Sequence, residues 1–112
     1  MSKLPSGLYS VLALCILENK AMYGYQIVKE IIKKSRGNIS LDQRILYPTL
    51  HNLEEAGELV SNTKMTVKRQ KRRYYHITAK GIKNLKNRKK QFLEFFKAID
   101  SVLSFDFQNL KD

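Results

Sequence analysis

Apolar spacing divides the chain of 112 residues into four helical stretches and one pair of strands. Residues 7–19, GLYSVLALCILEN, are apolar at Leu8, Val11, Leu12, Leu14, Cys15, Ile16 and Leu17. That is wider than one amphipathic stripe and predicts a helix buried on two sides. In residues 21–38, Tyr25, Ile27, Val28, Ile31 and Ile32 recur at helical spacing; Lys33, Lys34 and Arg36 gather near the C-terminal end, and Gly37-Asn38 is a stop signal. SLDQ (40–43) has the form of a capping box, with Ser40 accepting from the backbone three residues on and Gln43 reaching back. The helix it opens carries Leu46, Leu50, Leu53 and Gly57 on one side and Arg44, Pro48, His51 and Glu55 on the other, with Tyr47 on the flank. Pro48 lacks a donor and predicts a bend or a later start, and Gly57 closes the segment.

Strand character is confined to LVSNTKMTV (59–67) and RRYYHIT (72–78), and the cationic KRQK between them makes the pair a hairpin. Alternation puts Arg73, Tyr75 and Ile77 on one side and Arg72, Tyr74 and His76 on the other. Ile77 marks the inner side, so Tyr75 is expected in the core. Thr78 and Ala79 then open a helix running to about Phe105, apolar at Ile82, Leu85, Phe92, Phe95, Phe96, Ile99, Val102 and Leu103. Leu85, Phe92 and Ile99 stand at the heptad interval. Three helices, two strands and a long helix predict a mainly α fold with a two-stranded β-hairpin, the layout of a winged helix-turn-helix whose third helix enters the major groove.

Length and charge add the partner. A chain this short buries a modest core alone, so any apolar stripe left over points to a second chain. Lys and Arg number 21 against 10 Asp and Glu, a formal net charge of +11. From Lys64 to Lys90 there are twelve basic residues and no acid, whereas residues 1–63 hold seven basic and six acidic ones. A polyanion (DNA, RNA or an anionic membrane surface) should therefore meet the C-terminal half. Cys15 is the only cysteine, which excludes a disulfide framework and fits a reducing compartment. The apolar run VLALCIL (11–17) is far short of the roughly 20 residues that span a bilayer, and no secretory signal is convincing, so the protein reads as cytoplasmic, off the membrane. Two histidines and one cysteine, far apart, give no metal spacing and no Cys–His pair, and there is no Gly-rich phosphate loop. Glu54, Glu55 and Glu58 read as solvated carboxylates at a helix end. No catalytic residue, metal or cofactor is expected, and no enzyme.

Three stretches, YGYQIVKEI (23–31), LYPTLHNLEEAGEL (46–59) and KRRYYHIT (71–78), together resemble the PadR family of bacterial transcriptional regulators, over about residues 8–85. At DQRI (42–45) the chain departs from the family, whose members often have Gly or Pro before the Leu-Tyr-Pro. The resemblance implies a homodimeric winged-helix repressor of the compact branch. Its DNA-binding domain would be residues 1–79, with the recognition helix at 42–57 and the wing at 59–78; residues 80–112 would form the dimerisation helix and a short tail. That helix would pack on its twin and on the partner's first helix. Leu12, Cys15, Phe92, Phe95, Phe96 and Ile99 would then stand at the seam, and at any pocket there for a small aromatic or hydrophobic effector.

Gln43, Arg44, Tyr47 and His51 are the candidate readers of double-stranded DNA. Arg suits guanine edges and Gln adenine, while Tyr and His reach phosphates or sugars. The plain alternative is a solvated helix face, with Tyr47 partly in the core and His51 salt-linked at the surface. Lys68, Arg69, Lys71 and Arg72 in the wing are candidates for phosphate or minor-groove contact, against simple solubility. For the phenylalanines, core or dimer seam competes with a ligand site. The leading expectation is a regulator binding a pseudo-palindromic operator, with half-sites roughly 10 base pairs apart or a multiple of that. Its rivals are a non-specific nucleic-acid-binding module driven by charge, and a ligand- or protein-binding helical dimer.

Overall fold

The computed structural model describes residues 7–104. Its elements are α1 (Leu8–Asn19), β1 (Met22–Tyr23), α2 (Gly24–Lys34), α3 (Gln43–Glu55), β2 (Leu59–Met65), β3 (Lys71–Ile77) and α4 (Ala79–Leu103). The three strands form one antiparallel sheet in the order β1-β3-β2. With α1–α3 and the β2–β3 hairpin this is a winged helix-turn-helix. β1 has no counterpart in the expectation from sequence: two residues are too few to show alternation, and pairing with Tyr74 and Tyr75 of β3 defines it.

α1 is apolar nearly all round because α2, α3, β3 and α4 all pack on it. Its Leu14 and Leu17 are completely buried, together with Ile27 of α2, Leu46 and Leu50 of α3, Leu59 of β2 and Leu85 of α4. Tyr75 is buried with them, as the alternation of β3 required. α2 ends at Ser35 in a Schellman arrangement, with Arg36 N–H bonded to Lys33 O and Gly37 N–H to Ile32 O. Arg36 itself takes the left-handed conformation (φ 55°).

The N-cap of α3 is Asp42, not Ser40. Its Oδ1 accepts from Arg44 N–H at 2.8 Å, while Ser40 lies exposed and off the helix. Asp and Ser cap equally well, so spacing alone did not decide between them. α3 starts at Gln43 and continues through Pro48, so no later start is needed. Pro48 lies on the exposed side of the helix and cannot donate to the Arg44 carbonyl one turn back. Gly57, at φ 78°, ends α3 in a second Schellman turn in which Glu58 N–H bonds Leu53 O at 2.9 Å.

α4 is fastened to the end of α3. Thr78 Oγ1 donates to Gly57 O at 2.7 Å and accepts from Gly81 N–H at 3.0 Å, and Lys80 Nζ donates to Ala56 O at 2.6 Å. Gly81 presses so closely on the Glu58 carbonyl that a Cβ would sit 2.3 Å from it. The Glu58 carboxylate is 3% exposed, against the solvated position expected for it, and Arg88 of α4 grips it with both terminal nitrogens at 2.8 Å. Nothing in the sequence near Glu58 announces a partner thirty residues away. Past Phe92, which packs against the core, α4 runs on with Leu93, Phe95, Phe96, Ile99, Val102 and Leu103 exposed. The expected end near Phe105 lies outside the described residues.

Candidate nucleic-acid interface

On α3, Gln43, Arg44, Tyr47 and His51 all reach the surface. Arg44 is 91% exposed and pairs with Asp42, its own N-cap, at 3.3 Å. An ion pair so exposed contributes little and is readily exchanged for another anion. His51 Nε2 lies 3.0 Å from Glu55 Oε1 one turn on, the surface salt link weighed for it above. Tyr47 is half exposed, and its ring lies against Gly24 at the start of α2, so close that a Cβ on Gly24 would stand 2.9 Å from the hydroxyl. It therefore props α3 on the start of α2 while staying half exposed to solvent.

The wing keeps strict register from Leu59↔Ile77 to Met65↔Lys71. Its turn is closed by Thr66 N–H to Gln70 O (2.8 Å), Arg69 N–H to Thr66 O (2.9 Å) and Gln70 N–H to Thr66 Oγ1 (3.0 Å). This is a three-residue loop whose last position, Arg69, is left-handed at φ 60°. Lys68, Arg69 and Lys71 are exposed there without an acidic partner among the described residues.

Arg72 behaves differently. Its guanidinium lies 4.3 Å from the centre of the Tyr23 ring, and its Nη2 donates to Gln70 Oε1 at 3.3 Å. Lys64 sits 5.4 Å over Tyr74, and the rings of Tyr23 and Tyr74 meet edge to face at 5.5 Å. These four side chains form one cation–aromatic row on the outer face of the sheet, tying β1 and thus the start of α2 to the wing. The row was missed in the sequence because β1 was missed. Arg73, on the other face and not among the candidates, donates through Nε to Ser61 Oγ at 2.9 Å.

The residues assigned to the seam fall in two places. Leu12 and Cys15 are half-buried and line an apolar cavity of about 220 Å³ with Ile16, Ile31, Lys34, Ser35 and Ile39. Burial pushes the Cys15 thiol up from its ordinary range, against the lowering pull of Lys89. Among the described residues no phenylalanine lines that cavity. Phe92, Phe95 and Phe96 cluster on α4, with centroids 6.1 and 6.2 Å apart, and Ile99 follows them, exposed. Among the described residues, no group of carboxylates, histidines or cysteines is placed to hold a metal, and no helix is long and apolar enough to cross a membrane.

Comparison with known proteins supplies the identity. A search among curated proteins finds no match. Among solved structures, a transcriptional regulator from Clostridium thermocellum is similar at 29% identity and a TM-score of 0.78, covering 85% of this chain and 92% of that one. A protein from Streptococcus mutans is 31% identical with a TM-score of 0.73, covering 93% and 94%. A PadR family transcription regulator from Clostridium difficile is 28% identical with a TM-score of 0.71, covering 88% and 100%. Residues 13–87 match the PadR-like family of transcriptional regulators. The chain belongs to that family, and it is a winged-helix, DNA-binding regulator of transcription rather than an enzyme.

Proposed function

We propose that this regulator acts in the cytoplasm as a homodimeric repressor on a pseudo-palindromic operator, with Gln43, Arg44, Tyr47 and His51 entering the major groove and Lys68, Arg69 and Lys71 meeting phosphates or the minor groove. The observation that carries this reading is the α3 surface. A capped helix offers four polar side chains, among them an arginine 91% exposed and paired with its own N-cap, beside a wing tip whose cations have no acidic partner among the described residues. Repression is the regulatory sign that the family resemblance carries.

Dimerisation is supported by two surfaces on the same chain. The distal half of α4 exposes a run of large apolar side chains, and α1 carries the Leu12–Cys15 cavity. A two-fold arrangement lets each chain offer both, which is what an isologous interface requires. Fully burying one Leu or Phe contributes about 1.5–3 kcal/mol, so six such residues per chain are enough for a stable pair. An apolar cavity of about 220 Å³ has room for one aromatic ring, which supports a small hydrophobic effector.

The test is to select bound duplexes from a random pool and titrate the selected sequence against its shuffled version at one salt concentration. The expected preference is roughly a thousandfold or more. A ratio near one refutes the reading and leaves a charge-driven, non-specific binder. Arg44→Ala should narrow the ratio by weakening the selected duplex more than the shuffled one.

A further inference from the structure

Three polar side chains, distant in sequence, connect the recognition helix to the wing. Arg73 on β3 donates its Nε–H to Ser61 Oγ on β2 at 2.9 Å, and the Ser61 hydroxyl makes a short bond to Glu54 Oε2 on α3. The direction of this relay is forced. A guanidinium only donates and a carboxylate only accepts, so the serine hydroxyl accepts from one and donates to the other. The sheet register makes it possible: Arg73 faces Thr63, which places Ser61 one diagonal step away on the same face.

Because Nε is engaged, the far edge of the guanidinium, Nη1 and Nη2, has no partner among the described residues, and Arg73 is exposed. Those two nitrogens are the fork that takes a phosphate through two parallel bonds. The carboxylate does not neutralise it by contact, since Arg73 and Glu54 form no direct ion pair and the serine stands between them. Arg72, the next residue, is the opposite case, occupied by the Tyr23 ring and Gln70 on the other face of the sheet. A duplex whose major groove holds α3 and whose neighbouring groove meets the wing must carry one backbone strand across the junction between them.

We infer that Arg73 is the backbone-phosphate ligand at the junction of α3 and the wing, and that Glu54, acting through Ser61, is the residue that positions it. This deepens the DNA-binding reading above and rests on it. Lysine would not substitute, because a point charge has no second edge by which to be held.

The experiment is salt-dependent binding of the full chain to the selected duplex and to its shuffled version, with thermal melting of each variant alongside. Arg73→Gln keeps a donor for Ser61 but not the charge. It should lower the magnitude of the slope of log affinity against log salt by about 0.9 per protomer, equally on both duplexes. Arg72→Gln should leave that slope unchanged. Ser61→Ala and Glu54→Ala, which keep Arg73 but stop aiming it, should weaken binding by a smaller factor. Glu54→Gln, whose amide oxygen still accepts from the serine, should bind as well as the parent. An unchanged slope for a normally melting Arg73→Gln, or an equal loss in Arg72→Gln, overturns the assignment of Arg73. Parental binding by Ser61→Ala and Glu54→Ala overturns the positioning role. Should Arg73→Gln fold poorly, Arg73→Lys carries the same question: it keeps the charge and should still bind more weakly, and parental affinity would overturn the fork. Failure of the parent protein to bind any duplex is separate and refutes the DNA reading itself.

Discussion

Replacing Arg69 by glycine should make this protein more stable and a poorer DNA binder. Arg69 occupies the left-handed position of the wing turn at φ 60°. A residue with a Cβ is there at a cost of about 1–2 kcal/mol, which glycine does not bear. Glycine loses more backbone freedom on folding, worth roughly 0.5–1 kcal/mol in the other direction. The net expectation is a gain of about 0.5–1 kcal/mol, or roughly 2–6 °C in melting temperature for a domain of this size. The backbone bonds that close the turn, Thr66 N–H to Gln70 O and Arg69 N–H to Thr66 O, do not depend on the side chain and should survive.

Arg69 has no acidic partner among the described residues, so on the proposed reading its charge serves the nucleic acid. Arg69→Gly should then lower the salt slope by about 0.9 per protomer on any duplex. Arg69→Lys, which keeps both the charge and the strain, should change neither quantity much. Melting must be compared at one protein concentration, because a dimer's melting temperature depends on it. A drop in melting temperature for Arg69→Gly would mean that the arginine side chain holds the turn together and that the left-handed backbone is not the dominant cost. A rise without loss of affinity would show that the charge at the tip lies off the DNA.

Other expectations follow from the junction of α3 with α4 and from Cys15. Arg88→Met should destabilise by about 3 kcal/mol in urea unfolding, because it leaves the buried Glu58 carboxylate without its counter-ion, and adding Glu58→Leu should recover most of that loss. Gly81→Ala should cost at least about 1–3 kcal/mol, since its Cβ would meet backbone rather than a movable side chain. A chain ending after Leu85 should melt well below one ending after Lys90, because only the longer one keeps Arg88. The raised ionisation of Cys15 favours the neutral thiol in the folded state; its contribution is complete below the unfolded thiol's ordinary range and is lost as pH rises through the folded value, so Cys15→Ala should flatten the alkaline end of a stability–pH curve.

Most of the fold was legible because it is written in periodicity. α2, the body of α3, the hairpin and the first half of α4 each bury one regular set of apolar residues, α1 is apolar on nearly every side, and Gly57 marks its turn by being the residue that tolerates a positive φ. What escaped has no period. β1 exists only through Tyr74 and Tyr75, and the choice of Asp42 over Ser40 as cap was a contest between equally good residues two positions apart. Glu58 escaped for a further reason. A glutamate between a glycine and a strand looks solvated, and only the close passage of α4, permitted by the missing Cβ of Gly81, brings Arg88 to it.

Composition treats the basic tract around the wing as one object, and the structure divides it into three. Lys68, Arg69 and Lys71 are exposed at the turn with no acidic partner among the described residues. Arg72 and Lys64 lie over tyrosine rings on the outer face, where they knit the sheet to the start of α2. Arg73, on the inner face, is held by Ser61 beneath α3. Two adjacent arginines thus differ in role because successive strand residues face opposite ways, and that alternation was readable in advance. The occupants of the two faces were not, since they come from β1, β2 and α3. Net charge indicated a polyanion as partner, but which cations are free to meet it is set by strand parity and by what the rest of the fold places on each side of the sheet.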